Sequence, residues 1–149
     1  MSTGIKERVL EAVKDAMRAR AKQRLGALRG ITAEFKRVEV DERVEIDDTR
    51  ALAILDKMTK QRKDSLAQYQ NAGRQDLADQ EAFELAVIDE FLPAALTAEE
   101  LAQLVDSAIA ETNAASMQDM GSVMAALRPK VQGRADMGEV SGLVKAKLA

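Results

Sequence analysis

The stretch from Lys57 to Pro93, KMTKQRKDSLAQYQNAGRQDLADQEAFELAVIDEFLP, constrains the fold more than any other part of the chain. Leu52, Leu55, Thr59, Arg62, Leu66 and Tyr69 recur at three- and four-residue steps, the period of one helix face. Leu77, Glu81, Leu85, Ile88 and Leu92 repeat the pattern. Gly73 lies between them and supplies the left-handed position that commonly ends a helix. The pattern therefore predicts two long helices joined at Gly73. Asp47 or Asp48 offers a side-chain oxygen to the free amides at the start. The second helix also carries Ala82, Phe83, Ala86, Val87 and Phe91, so it is apolar around most of its circumference and is expected to be buried on more than one side. Pro93 breaks it, because proline has no donor amide and clashes with the preceding turn.

On either side the patterning stays helical. Residues 4 to about 20 form a first amphipathic helix with Ile5, Val9, Val13 and Met17 on its buried face, and Ser2 or Thr3 is placed to cap it. A break falls within Arg20–Arg24, where neither glycine nor proline marks it. A second helix carries Leu25, Leu28, Ile31, Phe35 and Val38. Gly26 and Gly30 interrupt it, each costing ~1 kcal/mol against alanine; they imply a close neighbouring helix or a local break. The loop DERVEIDD leads to the central pair. After Pro93, Thr97 and Glu100 form a capping box ahead of Leu101, Leu104, Val105 and Ala108. Ser116 with Asp119, then Asp136 with Glu139, resemble two more boxes. They open helices carrying Met120, Val123, Met124 and Leu127, and Val140, Leu143, Val144 and Leu148. Pro129 and Gly133 are expected to stop the first of these. The fold class is all-α: an N-terminal helical bundle or hairpin domain over 1–93, then a small three-helix domain over 94–149.

Composition excludes several chemistries. The chain has no Cys, no His and no Trp, which removes disulfides, thiolate and Ser–His catalysis and the usual zinc ligands. No Gly-x-x-x-x-Gly-Lys-Ser/Thr phosphate loop occurs. Met117, Met120 and Met124 stand at helix spacing as core residues, and Glu81 with Glu84 as ion-pair partners. No cofactor is expected. No apolar run approaches the ~20 residues that span a bilayer, and MSTGIKERVLEA lacks the apolar core of a signal peptide. A cytoplasmic protein without a membrane partner is the expectation.

Charge is zoned although the net charge is only −3. Ten Lys or Arg and four Asp or Glu lie between Lys6 and Arg37, and five and two between Arg128 and Lys147. Lys57–Lys63 holds four basic residues and no acid. Basic residues gathered on one surface suit phosphate contact. The candidates are Arg128, Lys130, Arg134 and Lys145 near the C-terminus, Lys14, Arg18 and Lys22 on one helix face, and Lys60 and Lys63 in the central stretch. With 3% aromatic residues, stacking on single strands is disfavoured, and recognition of a folded RNA by shape fits better. The competing account is ion pairing between neighbouring helices, for example Arg62 with Glu81 or Glu84.

Two segments carry a family resemblance. KQRKDSLAQYQNAGRQDLADQEAFELAVIDEFLP and SMQDMGSVMAALRPKVQGRADMGEVSGLVKAKL, with its Met-Gly-x-x-Met and Gly-Arg-Ala-Asp elements, resemble the signatures of the GatB/YqeY family. Order and spacing agree over essentially the whole chain, and the length resembles that of free-standing members. One departure is local: Met137 separates Gly-Arg-Ala-Asp from Gly138. The resemblance implies a two-domain helical fold and kinship with the tail of the B subunit of the glutamine-dependent aminoacyl-tRNA amidotransferase, which holds tRNA. The expected function is a tRNA- or RNA-binding helical adaptor without a catalytic site. The alternative is a protein-interaction module docking on tRNA-aminoacylation or amidotransferase proteins. A remoter alternative is carbon–nitrogen ligase activity with glutamine as amido donor, for which the chain offers no ATP site and no glutaminase nucleophile. Oligomeric state is not legible.

Overall fold

The computed structural model describes residues 4–149. Seven α-helices and one short 3₁₀ turn make up its regular structure, with no strand among the described residues. Contacts divide the chain into two compact units, a first ending at Leu92 and a second over Pro93–Ala149.

The first unit holds α1 (Ile5–Arg18), α2 (Lys22–Glu42), α3 (Asp48–Asn71) and α4 (Gln75–Asp89). Its core joins Ile5, Val9 and Ala16 of α1 to Leu28, Ile31, Phe35 and Val38 of α2, with Ala51, Ile54, Leu55 and Met58 of α3 and Val87 and Ile88 of α4. Met17, expected inside, is 52% exposed, and Ala16 takes its place. Stepping by four from Ile5 drifts around the axis: Ala16 lies about 20° from Ile5 and Met17 about 120°.

Both aspartates at the start of α3 act as caps. Asp47 accepts from the Arg50 amide at 2.8 Å, and Asp48 accepts from the Ile5 amide at 2.8 Å, fastening α3 to the start of α1. Gly4 holds the N-cap position of α1; the predicted caps Ser2 and Thr3 lie outside the described residues. The break after α1 comes at Ala19–Ala21, where Arg20 takes a left-handed φ of 55°. Lys22 therefore opens a different helix from Lys14 and Arg18, and the three do not share one helix face. Gly26 and Gly30 break nothing: both are exposed inside an unbroken α2. A side chain at either would meet open space, so the expected close neighbour is absent.

Helices α3 and α4 form a hairpin turned at Gly73, whose φ is 71°. Beyond Met58 on α3 and before Ala78 on α4 no side chain is fully buried. The hairpin's outer half therefore lies outside the core. Helix α4 is not buried all round, since Ala82 and Ala86 are exposed. It ends at Asp89, ahead of Pro93, and tightens through i to i+3 bonds from the amides of Glu90, Phe91 and Leu92. Arg8 donates from Nη2 to the Glu90 carbonyl at 3.1 Å and lies 5.6 Å over the Phe91 ring. Arg24 grips the Glu90 carboxylate with two bonds of 2.5 and 3.0 Å, which keep its guanidinium firmly charged.

The second unit holds α5 (Ala98–Glu111), the 3₁₀ turn Met117–Asp119, α6 (Met120–Val131) and α7 (Met137–Leu148). Leu101, Val105, Val123, Leu127, Val131, Val140 and Val144 form its core. The Thr97–Glu100 box closes in both directions, at 3.0 and 3.1 Å. The Asp119 carboxylate accepts from the amides of Ala115 and Ser116, and Asp136 accepts from the Glu139 amide at 3.0 Å. Pro129 does not stop α6; the helix continues to Val131, and Gly133 at φ 75° turns the chain. A proline inside a helix costs ~3 kcal/mol. Full burial of Leu127 and Val131 on the same face offsets that, at ~1.5–3 kcal/mol per large aliphatic side chain.

Candidate nucleic-acid interface

Local structure sorts the basic candidates into those held by the protein and those left open. Arg18 is held by its own helix, 2.9 Å from Asp15 and 3.9 Å from Glu11. Lys130 lies 3.7 Å from Glu111, linking α6 to α5. Arg134 is the most committed: its Nε donates to the Ala94 carbonyl at 3.0 Å, and its own carbonyl accepts from the Leu96 amide at 2.9 Å. These bonds pin the 94–96 segment onto the second unit, giving Arg134 a structural task that the sequence did not signal.

The others are exposed and form no ion pair among the described residues: Lys14 on α1, Lys22 at the first position of α2, Lys60 and Lys63 on α3, Arg128 in the last turn of α6 and Lys145 in the last turn of α7. The structure places Lys60 and Lys63 a helical turn apart on the outer half of the α3–α4 hairpin, where the apolar core has ended. Arg128 and Lys145 each sit in the last turn of a helix, a position that favours a cation.

The competing account is also correct where it was most specific. Arg62 lies 3.0 Å from Glu84 and 3.4 Å from Glu81, across the hairpin. Burial raises the Glu84 carboxyl above its ordinary value, Arg62 opposes the rise and Glu81 adds to it.

A charged cleft between α2 and α3 escaped the sequence reading. Arg37, Arg50 and Lys57 line it with Glu34 and Glu42 around a volume of about 180 Å³. Arg37 hydrogen-bonds Glu34 and holds that carboxyl below its ordinary value. Arg37 also reaches Asp41 at 3.2 Å, and Arg50 binds Glu42. The signal was available: Arg50 and Lys57 stand seven apart, two helical turns, on one side of α3. A second groove of about 490 Å³ separates α2 from α4; Lys22, Gly26, Ala27 and Phe83 line it together with the carboxylates of Asp76, Asp79 and Glu84.

Among the described residues no group of three or more carboxylates is arranged to hold a metal ion, and no helix is long and apolar enough to cross a membrane. No curated protein matches the chain. A family model described as "Yqey-like protein" matches residues 6–148. The chain belongs to the YqeY-like family.

Proposed function

We propose that this protein is a helical adaptor for tRNA or another folded RNA, without a catalytic site of its own. The observation that carries the reading is the set of unpaired, exposed cations: Lys14, Lys22, Lys60 and Lys63 in the first unit, Arg128 and Lys145 in the second. Cations not consumed by carboxylates are the ones able to release counterions from a phosphate backbone. The resemblance to the tRNA-holding tail of the amidotransferase B subunit supports the same reading. Shape recognition suits a chain whose only tyrosine is Tyr69 and which has no tryptophan.

Filter binding of tRNA at two salt concentrations tests it. Phosphate contacts predict a steep loss of affinity with salt. Affinity no better than that of serum albumin would sink it. A Lys60→Gln, Lys63→Gln variant is expected to flatten the salt slope by about 1 to 2, roughly one unit for each phosphate no longer neutralised.

A second reading, docking on proteins of tRNA aminoacylation, draws support from the groove between α2 and α4, whose lining holds three carboxylates and one lysine. Pull-down from lysate with and without nuclease separates the two: RNA-dependent capture favours the adaptor, nuclease-resistant capture the docking module.

A further inference from the structure

One flank of the α1–α2 pair carries an apolar patch that the described residues leave uncovered. Leu10 is 43% exposed, Met17 52% and Val40 62%, three of the five large hydrophobic side chains most open to solvent among the described residues. Leu10 and Met17 stand seven apart, within about 20° of one another around α1. Val40 lies one turn beyond Lys36 on α2. Between the two helices, over Leu10, Ala33 and Phe35, opens a largely apolar hollow of about 350 Å³, with Lys6 and Lys36 beside it. Single exposed apolar residues are ordinary; gathered around a hollow and rimmed by charge they mark a docking surface. The rim here is cationic. Arg29 and Lys36 are exposed and make no ion pair among the described residues. They stand two turns, or about 10 Å, apart on α2. Leu25, Gly26, Thr32 and Ala33, three and four positions from Arg29, include no acid. Glu39, the only acid so placed from Lys36, is taken by Lys6 at 2.7 Å. Lys14, one turn from Leu10, is also unpaired, and its one acid at that spacing, Glu11, lies toward Arg18.

We propose that this flank docks an acidic amphipathic helix of a partner protein. An apolar side chain of that helix seats in the hollow over Leu10 and Phe35, and its carboxylates meet Arg29 and Lys36 on one side and Lys14 on the other. A groove between two helices receives a third by its apolar stripe, read at steps of three, four and seven residues. The spacing of Arg29 and Lys36 matches acids two turns apart on such a helix. Charge complementarity selects the partner's sign and speeds encounter. A second copy of this chain is a poor occupant, because a two-fold contact through this flank sets the same cations face to face. A bilayer surface is flat, whereas the hollow is concave and takes a projecting side chain. Arg29 and Lys36 lie outside the set of cations on which the RNA reading rests, so the surface does not depend on that reading.

The test uses the full chain and three fluorescein-labelled peptides of about 18 residues, long enough to hold helix. The first carries a leucine stripe flanked by glutamates. The second has glutamine for every glutamate, and the third keeps the glutamates but shuffles the leucines. Fluorescence anisotropy at low salt is expected to show saturable binding of the first and at least about tenfold weaker binding of the others. Leu10→Glu removes apolar contact and adds a repelling charge, and is expected to weaken the first peptide about tenfold or more. Arg29→Gln with Lys36→Gln is expected to weaken it about fivefold, the worth of two exposed charge pairs. Lys57→Gln, in the cleft between α2 and α3, is expected to leave it unchanged. All three positions on the flank are exposed, and helical dichroism checks that the variants fold. No binding of the first peptide, equal binding of all three, or unaltered affinity in Leu10→Glu would overturn the proposal. So would a loss on Leu10→Glu of binding to tRNA, or to vesicles of anionic phospholipid, when the acidic peptide does not bind; the flank then belongs to RNA or to a membrane. The peptide titration contains no RNA, so its failure and that of the adaptor reading are distinguishable.

Discussion

Glycine and arginine have exchanged their usual places in α1 and α2. Arg20 and Arg43 sit at helix ends with φ of 55° and 54°, a region where glycine meets no steric cost. Gly26 and Gly30 sit mid-helix with open space around them. Replacing each of these two by alanine is expected to stabilise the first unit by about 1 kcal/mol, read as a higher urea midpoint at unchanged slope. A fall in stability at either would mean that the space is occupied in solution. Glu84 gives a pH signature. Its folded carboxyl titrates above its ordinary value of 4.5, so the native state holds that proton more tightly than the unfolded chain does. The group's ionisation therefore weakens the fold as pH rises through the window between the two values. Glu34, Asp76, Glu100 and Asp119 are shifted the other way, each by a hydrogen bond to its ionised form. They add stability above their ordinary values and lose it as pH falls. Glu84→Gln is expected to gain on wild type toward neutral pH and to give the gain back on acidification, measured by urea titrations from acid to neutral pH. Equal pH profiles would contradict the buried placement of that carboxyl. Arg134→Ala is expected to cost the second unit about 1 kcal/mol by freeing the Ala94 carbonyl, visible as a lower thermal midpoint.

At the scale of elements, the α3–α4 hairpin has an inner half in the core and an outer half beyond it. Leu55 is fully buried and Leu66 only partly so. Leu55→Ala is expected to cost about 2–5 kcal/mol, a core truncation, and Leu66→Ala clearly less, both read by urea denaturation. Equal costs would place the outer half in the core after all. Much of this was legible in the sequence. The helical period, Gly73 and the Thr97 box marked their elements because each acts through neighbours three or four residues away. Arg62 with Glu84 was also legible, because a hairpin brings together residues whose distance from the turn can be counted. What stayed hidden depended on something other than local pattern. The end of α1 falls on an arginine in a glycine conformation. Pro129 stays inside α6 because distant side chains bury Leu127 and Val131. Arg134 serves a backbone carbonyl forty residues away. The cleft between α2 and α3 needed the lateral pairing of two helices, which periodicity does not supply. The free cations could be read as basic in sequence but not sorted from Arg18, Lys130 and Arg134, whose partners are set by folding.

For the molecule as a whole, far-UV dichroism is expected to report a predominantly helical protein, well above the ~30–35% helix of ordinary globular chains. Limited proteolysis with a protease of broad specificity is expected to cut first at Arg43–Glu45, in the exposed stretch between α2 and α3. The 94–96 segment should resist longer, because Arg134 holds it at two points; earlier cleavage there would contradict that fastening. The outer hairpin has a consequence for how unfolding can be watched. Tyr69 is the chain's single tyrosine and there is no tryptophan, so emission excited in the tyrosine band, beyond phenylalanine absorption, comes from one ring, half-buried beside the Gly73 turn. Such emission is blind to both cores. In a denaturant series its transition should precede the loss of helical dichroism, reporting the fraying of a hairpin tip while the rest of the chain is still folded.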